Sequence, residues 1–184
     1  MKTLYLERSV ADGRRGDWTE ELDLSDVGRI VVGTGPGSFA GVRAAIAFAQ
    51  GYALGRPSCE VFGLPSPCAL AGDGRTAVVG DARRGLFWIA LFDGFEQRGE
   101  VFLADAGLLT ASVPGDFRVV TADEARIGES LRGVFGPRYA GGEVPTAEGL
   151  RRFAEANPAA LRPEPLPIYL TPAVRPAQDP APRP

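Results

Sequence analysis

The chain has 184 residues, of which 45% are apolar, and this composition is typical of one globular domain or two small ones. Its formal net charge is −3 and its sequence pI is about 5.1, which argues against a broad basic face that grips nucleic acid directly. The sequence contains no histidine and one lysine, Lys2 near the start, which excludes Ser-His-Asp catalysis, histidine-liganded metals and a lysine in a core site.

The first half of the chain predicts alternating strands and helices. Residues 3–7 have strand character, and the polar, glycine- and arginine-rich stretch 9–19 indicates a loop. The apolar run at 29–33 predicts a second strand. It leads into a glycine-rich loop and then into a helix at about 38–54. This strand, loop and helix order indicates an α/β fold.

Both ends of the predicted helix carry recognisable signals. Ser38 is a hydroxyl residue suited to the N-cap, and Gly55 followed by Pro57 ends the helix. The interior is dominated by alanine and glycine, which allow another helix or backbone to pack unusually close. We therefore expect this helix to be covered, either by its own sheet or by a partner.

The middle of the chain predicts a further strand at 58–63, a short helix that ends at Leu70, and a β-hairpin. The hairpin strands lie at 75–80 and 86–92, and a connection of five residues with a terminal glycine makes them antiparallel.

The pattern weakens beyond residue 98. We predict strands at 100–103 and 117–121 and helices at 122–132 and 146–156, the last capped by Thr146. A proline-rich tail follows, which we expect to be extended and disordered. The predicted units are an N-terminal subdomain at 1–98, a reduced C-terminal subdomain at 99–173 and a tail at 174–184.

The glycine-rich loop admits two interpretations from its residues alone. The run from Gly35 to Ala40 fits GxGxxA between a strand and a helix, and Glu60 follows at the next strand, so a nucleotide or dinucleotide site that uses Gly35, Gly37 and Ser38 is one hypothesis. Against it, Pro36 removes one N–H donor and the hairpin interrupts the βαβ pattern. The alternative is a tight turn beneath a closely packed helix.

Three motifs then occur in order. The segment Gly35-Pro36-Gly37-Ser38-Phe39-Ala40-Gly41-Val42-Arg43 closely resembles the GPGSFTGLR signature of the bacterial TsaB (YeaZ) family. The segment Asp81-Ala82-Arg83-Arg84-Gly85, with the aromatic-rich strand after it, resembles that family's DARRGEVY hairpin. The segment Pro167-Ile168-Tyr169-Leu170 resembles its C-terminal PLYL element.

This resemblance implies an actin-like (ASKHA, RNase H-like) α/β fold with two small subdomains. It also implies a noncatalytic subunit that pairs with TsaD, the catalytic protein of the threonylcarbamoyl modification of adenosine in tRNA. The implied partners are a TsaD-like paralogue, a TsaE-like ATPase through the complex, tRNA only indirectly, and a second copy when the chain is alone. No cofactor is implied beyond weak ATP or ADP binding, and no metal.

The sequence departs from the family pattern near its start. The usual Asp-Thr-Ser turn is replaced by Leu4-Tyr5-Leu6-Glu7-Arg8-Ser9, and a stretch that includes a His-Ser-Glu helix is missing. We therefore expect the first subdomain to be curtailed. Ala40 stands where the signature has threonine, which removes one hydroxyl from the loop.

The resemblance also suggests site residues on the helix and the hairpin. The predicted partner interface consists of Phe39, Val42, Arg43, Ala45, Ile46, Ala49 and Ala53. Asp81 and Arg83 are predicted to be a turn-stabilising pair. A homodimeric interaction module remains a further alternative. Because no signal-peptide core or long apolar run is present, we expect a cytoplasmic protein with no membrane partner.

Overall fold

The computed structural model describes residues 2–10 and 22–170. The strands are β1 (Lys2–Leu6), β2 (Val27–Gly33), β3 (Glu60–Leu64), β4 (Arg75–Arg83), β5 (Leu86–Asp93), β6 (Glu96–Gln97), β7 (Phe102–Asp105), β8 (Arg118–Thr121), β9 (Tyr139–Gly142) and β10 (Arg162–Pro163). The helices are α1 (Phe39–Leu54), α2 (Leu109–Ser112), α3 (Glu124–Phe135) and α4 (Ala147–Ala156), and 3₁₀ turns lie at Ser66–Leu70, Gly136–Arg138 and Pro158–Ala160.

The first sheet has the strand order β1-β2-β3-β10. Strands β1, β2 and β3 are parallel, with Ile30 in register with Leu4 on one side and Val61 on the other. Parallel neighbours need a crossover, and α1 supplies it between β2 and β3. Strand β10 is antiparallel to β3 and covers only Phe62 and Gly63.

The second sheet has the order β6-β5-β4-β8-β9, and β7 pairs with β5 beside β6. Strands β4 and β5 form the predicted antiparallel hairpin. Strand β8 is parallel to both β4 and β9, and α3 makes the crossover between β8 and β9. The molecule is therefore a mixed α/β protein with two sheets.

Helix α4 packs in a core cluster that contains residues of both sheets. Its Phe153 makes an edge-to-face contact with Phe92 of β5, with ring centroids 5.9 Å apart. Its Gly149 lies directly against the carbonyl of Ala69, where a Cβ atom would overlap the backbone. Thr146 caps the helix as predicted and accepts a hydrogen bond of 3.0 Å from the Gly149 N–H.

Several elements differ from the sequence-based expectations. Strands β6, β9 and β10 and helix α2 were not predicted, because they are short and contain glycine, proline or mixed residues that carry no periodic signal. Strands from both sides of residue 98 pair in the second sheet, so that predicted boundary does not separate the two sheets. The extents of the subdomains stay a prediction.

Some predictions lie outside the described residues. These are the tail at 174–184 and most of the loop at 9–19. Across residues 2–10 and 22–170, no helix has both the length and the apolar character needed to cross a bilayer.

Candidate functional site

The glycine-rich loop follows the end of β2, and its backbone donors are used inside the chain. The Gly35 N–H donates to Ser66 Oγ at 3.0 Å, and the Ser38 N–H donates to the carbonyl of Ser9. Pro36 has no N–H to give. The loop therefore brings Gly35, Gly37 and Ser38 together. However, two of the backbone N–H donors that an anion would need are already hydrogen-bonded within the chain.

The glycines of the signature allow the backbone of residues 7–9 to pass directly over the start of α1. A Cβ atom at Gly37 would overlap the carbonyl oxygen of Ser9, and one at Gly41 would overlap that of Arg8. This is the closely packed turn of the second interpretation, with the chain's own N-terminal segment as the packing partner. Ser38 caps the helix by accepting a hydrogen bond of 3.3 Å from the Gly41 N–H.

Glu7 places a carboxyl group beside this loop. Its Oε1 accepts a hydrogen bond of 2.6 Å from the Ser9 N–H. Its Oε2 lies against Gly33, is buried, and has no hydrogen-bond partner among the described residues. Burial raises the pKa of Glu7, and polar contacts with Ser9, Ser66 and the Arg8 backbone offset only part of that effect. Sequence reasoning missed this residue, although an acid directly after an apolar strand was a visible signal.

Four of the seven residues predicted for the partner interface lie in the chain's own core. Val42, Ala45, Ile46 and Ala49 are buried against the first sheet, and Ala53 is half-buried. These four residues are therefore removed from the predicted partner interface. In a helix of which half the residues are alanine or glycine the apolar stripe is poorly defined, so the sequence did not distinguish the inner face from the outer one.

The outer face of α1 is open to solvent. Of the predicted interface residues it keeps Phe39, which is 49% exposed, and Arg43. Its members, which we call the α1 face, are Phe39, Ala40, Arg43, Ala44, Ala47, Gln50, Gly51 and Leu54. Leu54 is 86% exposed, so a large apolar group stands in water at the end of a row of small residues.

A C-terminal segment widens the α1 face. The rings of Tyr169 and Phe39 are in contact, with centroids 5.4 Å apart, and the Arg43 guanidinium lies 5.0 Å from the Phe39 centroid. Tyr169 is 54% exposed and Leu166 is 75% exposed. The PLYL-like element therefore contributes to the same surface as the glycine-loop signature, a proximity that no local sequence pattern predicts.

The predicted pair in the β4-β5 turn is present. The Arg83 N–H donates to Asp81 Oδ1 at 2.7 Å, and the Arg83 guanidinium lies 3.4 Å from Asp81 Oδ2. Asp81 also contacts α3, because Asp123 Oδ2 accepts from the Asp81 N–H at 2.9 Å and Arg126 lies 3.4 Å from its carboxylate. The motif thus fixes the turn and ties it to a neighbouring helix.

Two concave regions are lined by residues outside the glycine loop. A cavity of about 560 Å³ is lined by the β6 region, Leu64, Cys68, Asn157 and Leu170. A groove of about 690 Å³ runs between the end of α1, β3 and residues 163–165. Within the described ranges, no cluster of three or more His, Cys, Asp or Glu residues is arranged to hold a metal ion.

Comparison with known proteins identifies the family. The model of the family "TsaD: tRNA N6-adenosine threonylcarbamoyltransferase" matches residues 19–121, which is more than half of the chain. The chain belongs to the TsaD family.

Solved structures that resemble the chain establish the fold. YeaZ from Pseudomonas aeruginosa superposes with a TM-score of 0.69 at 22% identity, over 91% of this chain and 99% of YeaZ. An uncharacterized protein described as similar to peptidase YeaZ from that organism gives a TM-score of 0.61 at 24% identity, over 84% of this chain and 80% of the other. The predicted actin-like α/β fold and the resemblance to the TsaB (YeaZ) family are confirmed.

Curated relatives come from mycobacteria. Uncharacterized proteins of Mycobacterium tuberculosis and Mycobacterium bovis are each 43% identical over 90 residues, which is 46% of this chain and 41% of the relative. One of Mycobacterium leprae is 40% identical over 82 residues, which is 43% of this chain and 23% of the relative. The chain thus spans less than half the length of the curated relatives it matches.

Proposed function

We propose that this protein is a noncatalytic partner subunit of a TsaD-type tRNA threonylcarbamoyl transferase, which it stabilises or activates. The observation that carries the proposal is the α1 face, a solvent-exposed surface on the helix that begins with the family signature. Its small residues let a partner helix approach closely, and Phe39 and Leu54 supply apolar contact area at its two ends.

A structural role for the glycine loop supports the noncatalytic assignment. Its donors at Gly35 and Ser38 are bonded within the chain, and residues 7–9 occupy the space above it. The sequence also lacks every histidine, so it offers no imidazole for metal binding or for acid and base chemistry. A nucleotide or dinucleotide site at this loop, the alternative, receives less support from this geometry.

The partner we propose for the α1 face is a TsaD-like paralogue. A TsaE-like ATPase would join through that complex, and tRNA would be held by the assembly, in line with the acidic pI of this chain. Arg43, a member of the α1 face whose guanidinium lies over the Phe39 ring, is the residue we propose to pair with a carboxylate of the partner. Alone, the chain is proposed to form a homodimer.

Co-expression with the TsaD-like paralogue of the same organism tests this proposal. We expect a stable complex at micromolar concentrations by size exclusion with light scattering, and Ala47→Glu should abolish it because a charge would be buried in the interface. Ala47 is exposed, so the variant should keep its fold. The matched control is Val134→Glu, an exposed position on α3. Absence of a wild-type complex, or equal loss in both variants, would overturn the proposal.

A further inference from the structure

The cavity of about 560 Å³ lies where elements of both sheets meet. One wall comes from the end of β3 and the 3₁₀ turn at Ser66–Leu70, a second from residues 96–101 around β6, and a third from residues 157–170 after α4. Its volume falls within the range of about 300–1,000 Å³ that small-ligand sites occupy. Among the described residues, none of the α1 face lines it, so the cavity is separate from the surface proposed for the partner subunit.

Hydrogen bonds within the chain hold the walls of this cavity in place. The Cys68 thiol donates to Gln97 Oε1 at 3.6 Å, and Gln97 Nε2 donates to the carbonyl of Gly99 at 3.0 Å, which ties the loop after β6 to the 3₁₀ turn. On the other side, the Ile168 N–H donates to the carbonyl of Thr34 at 2.8 Å. The cavity is therefore formed in advance, and a ligand would not have to order its walls on binding.

The lining combines apolar side chains with one amide oxygen that is still free to accept. Leu64 is buried, and Val101 and Leu170 are half-buried. Asn157 donates through Nδ2 to the carbonyl of Phe95 at 3.3 Å, and its Oδ1 accepts no hydrogen bond from the described residues. Such a lining suits an apolar group that stands next to an N–H donor.

Two charges of opposite sign line the cavity without an ionic partner. Glu100, in the loop before β7, has no hydrogen bond or ion pair within residues 2–10 and 22–170. Arg162, in β10, donates only to the carbonyl of Ala159 at 3.4 Å, so its charge is not neutralised there. The third charged residue of the lining, Glu96, is paired with Arg98 at 3.4 Å. A ligand with both an ammonium and a carboxylate group would satisfy both free charges, whereas a singly charged ligand would leave one of them unpaired.

We propose that this cavity binds a short peptide of two or three residues with free ends. Its ammonium group pairs with the Glu100 carboxylate, its carboxylate pairs with the Arg162 guanidinium, and an amide N–H donates to Asn157 Oδ1. An apolar side chain of the peptide packs against the apolar part of the lining. A free amino acid lacks the amide N–H, and a nucleotide lacks the ammonium group, so neither offers the full set. The inference goes beyond the proposed function and needs neither the paralogue nor tRNA.

Calorimetric titration of the full chain with the dipeptide leucylleucine tests this proposal. We expect saturable binding with a Kd below about 1 mM, and Glu100→Gln and Arg162→Gln should each raise the Kd by about threefold or more because each removes one ion pair. Both side chains are exposed, so the variants should keep their fold, which circular dichroism checks. The matched control is Glu96→Gln, which should bind like the wild type because Glu96 is already paired with Arg98.

Peptides with one blocked end show which charge meets which terminus. N-acetylated leucylleucine lacks the ammonium group, so it should bind more weakly and should not respond to Glu100→Gln. The C-terminal amide of leucylleucine lacks the carboxylate and should likewise not respond to Arg162→Gln. Each combination of a variant and a blocked peptide closes a double-mutant cycle, which isolates one pair of groups from any general effect of charge.

Three results would overturn the proposal. The first is a wild-type chain that shows no binding at millimolar peptide, and the second is equal binding of the free and blocked peptides. The third is binding that appears only in a chain ended after Leu170, because residues 171–184 would then be the occupant of the cavity. All of these are read from the chain alone, so they are distinct from loss of the complex with the TsaD-like paralogue.

Discussion

One oxygen of the Glu7 carboxyl group is buried against backbone that carries no charge. Oε2 lies against the backbone of Gly33 and has no hydrogen-bond partner among the described residues. A charged carboxylate loses its hydration there, so burial disfavours the charged form and raises the pKa of Glu7. Glu7 is therefore expected to couple the stability of the loop to pH.

Substituting Glu7→Gln should stabilise the protein at neutral and alkaline pH. The pKa of Glu7 is raised in the fold, so its contribution to stability is present below the pKa of the unfolded chain and is lost as pH rises through the folded value. The variant has no carboxyl group at this position, so it does not lose stability in this way as the pH rises. We expect its free energy of unfolding to exceed that of the wild type by about 1–3 kcal/mol at pH 8, and this difference should shrink toward pH 4. Urea unfolding at several pH values measures it. A gain independent of pH would show that the carboxyl does not titrate as argued.

Gly41 is required by packing rather than by its own backbone angles. Its Cα faces the carbonyl of Arg8, and a methyl group there would overlap the oxygen, so Gly41→Ala should destabilise the fold by about 1–3 kcal/mol. Gly51 on the same helix has nothing near the position of a Cβ, so Gly51→Ala should stabilise by up to about 1 kcal/mol. Chemical denaturation of both variants compares them, and similar midpoints would refute the close approach.

At the scale of elements, helix α1 illustrates what a sequence can and cannot define. Its limits were predictable from Ser38 and Gly55, because caps are local signals. Which face of α1 packs against the sheet was not predictable, because alanines occupy both sides of the helix and leave no clear apolar stripe. The residues that the structure buries, Val42 and Ile46 among them, could be assigned only once the position of the first sheet was known.

Some strands could be predicted from the sequence and others could not. The β4-β5 hairpin was predictable because two long apolar runs are joined by a short turn with Gly85 at its end. Strand β10 was not, since it contains Pro163 and pairs with a strand that lies far away along the chain. The contact of Tyr169 with Phe39 is equally non-local, and for that reason the candidate surface was only half predictable.

At the scale of the whole molecule, the C-terminal segment adds the edge strand β10 to the first sheet. Strand β10 covers part of the β3 edge, the Ile168 N–H donates to the carbonyl of Thr34 at 2.8 Å, and Gln50 reaches the carbonyl of Pro165 at 3.5 Å. These contacts join the last described residues to β3, to the glycine loop and to α1. The segment is therefore a structural part of the N-terminal half.

Ending the chain after Leu161 should destabilise the protein and weaken binding of the TsaD-like paralogue. The shortened chain loses β10 and the Tyr169 ring beside Phe39, and it exposes the edge of β3. We expect a melting temperature lower by several degrees, in line with the loss of a few kcal/mol. The control ends after Leu170 and keeps every contact described above. Equal melting of the two chains would contradict a structural role for the segment.

The late position of β10 has a consequence for synthesis on the ribosome. Strands β1, β2 and β3 emerge first, but the strand that covers the outer edge of β3 is translated only after the entire second sheet. Throughout that interval the nascent chain presents an apolar parallel sheet with an uncovered edge, a state prone to pairing with neighbouring chains. The time taken to translate the second sheet thus sets how long the edge of β3 stays uncovered in the nascent chain.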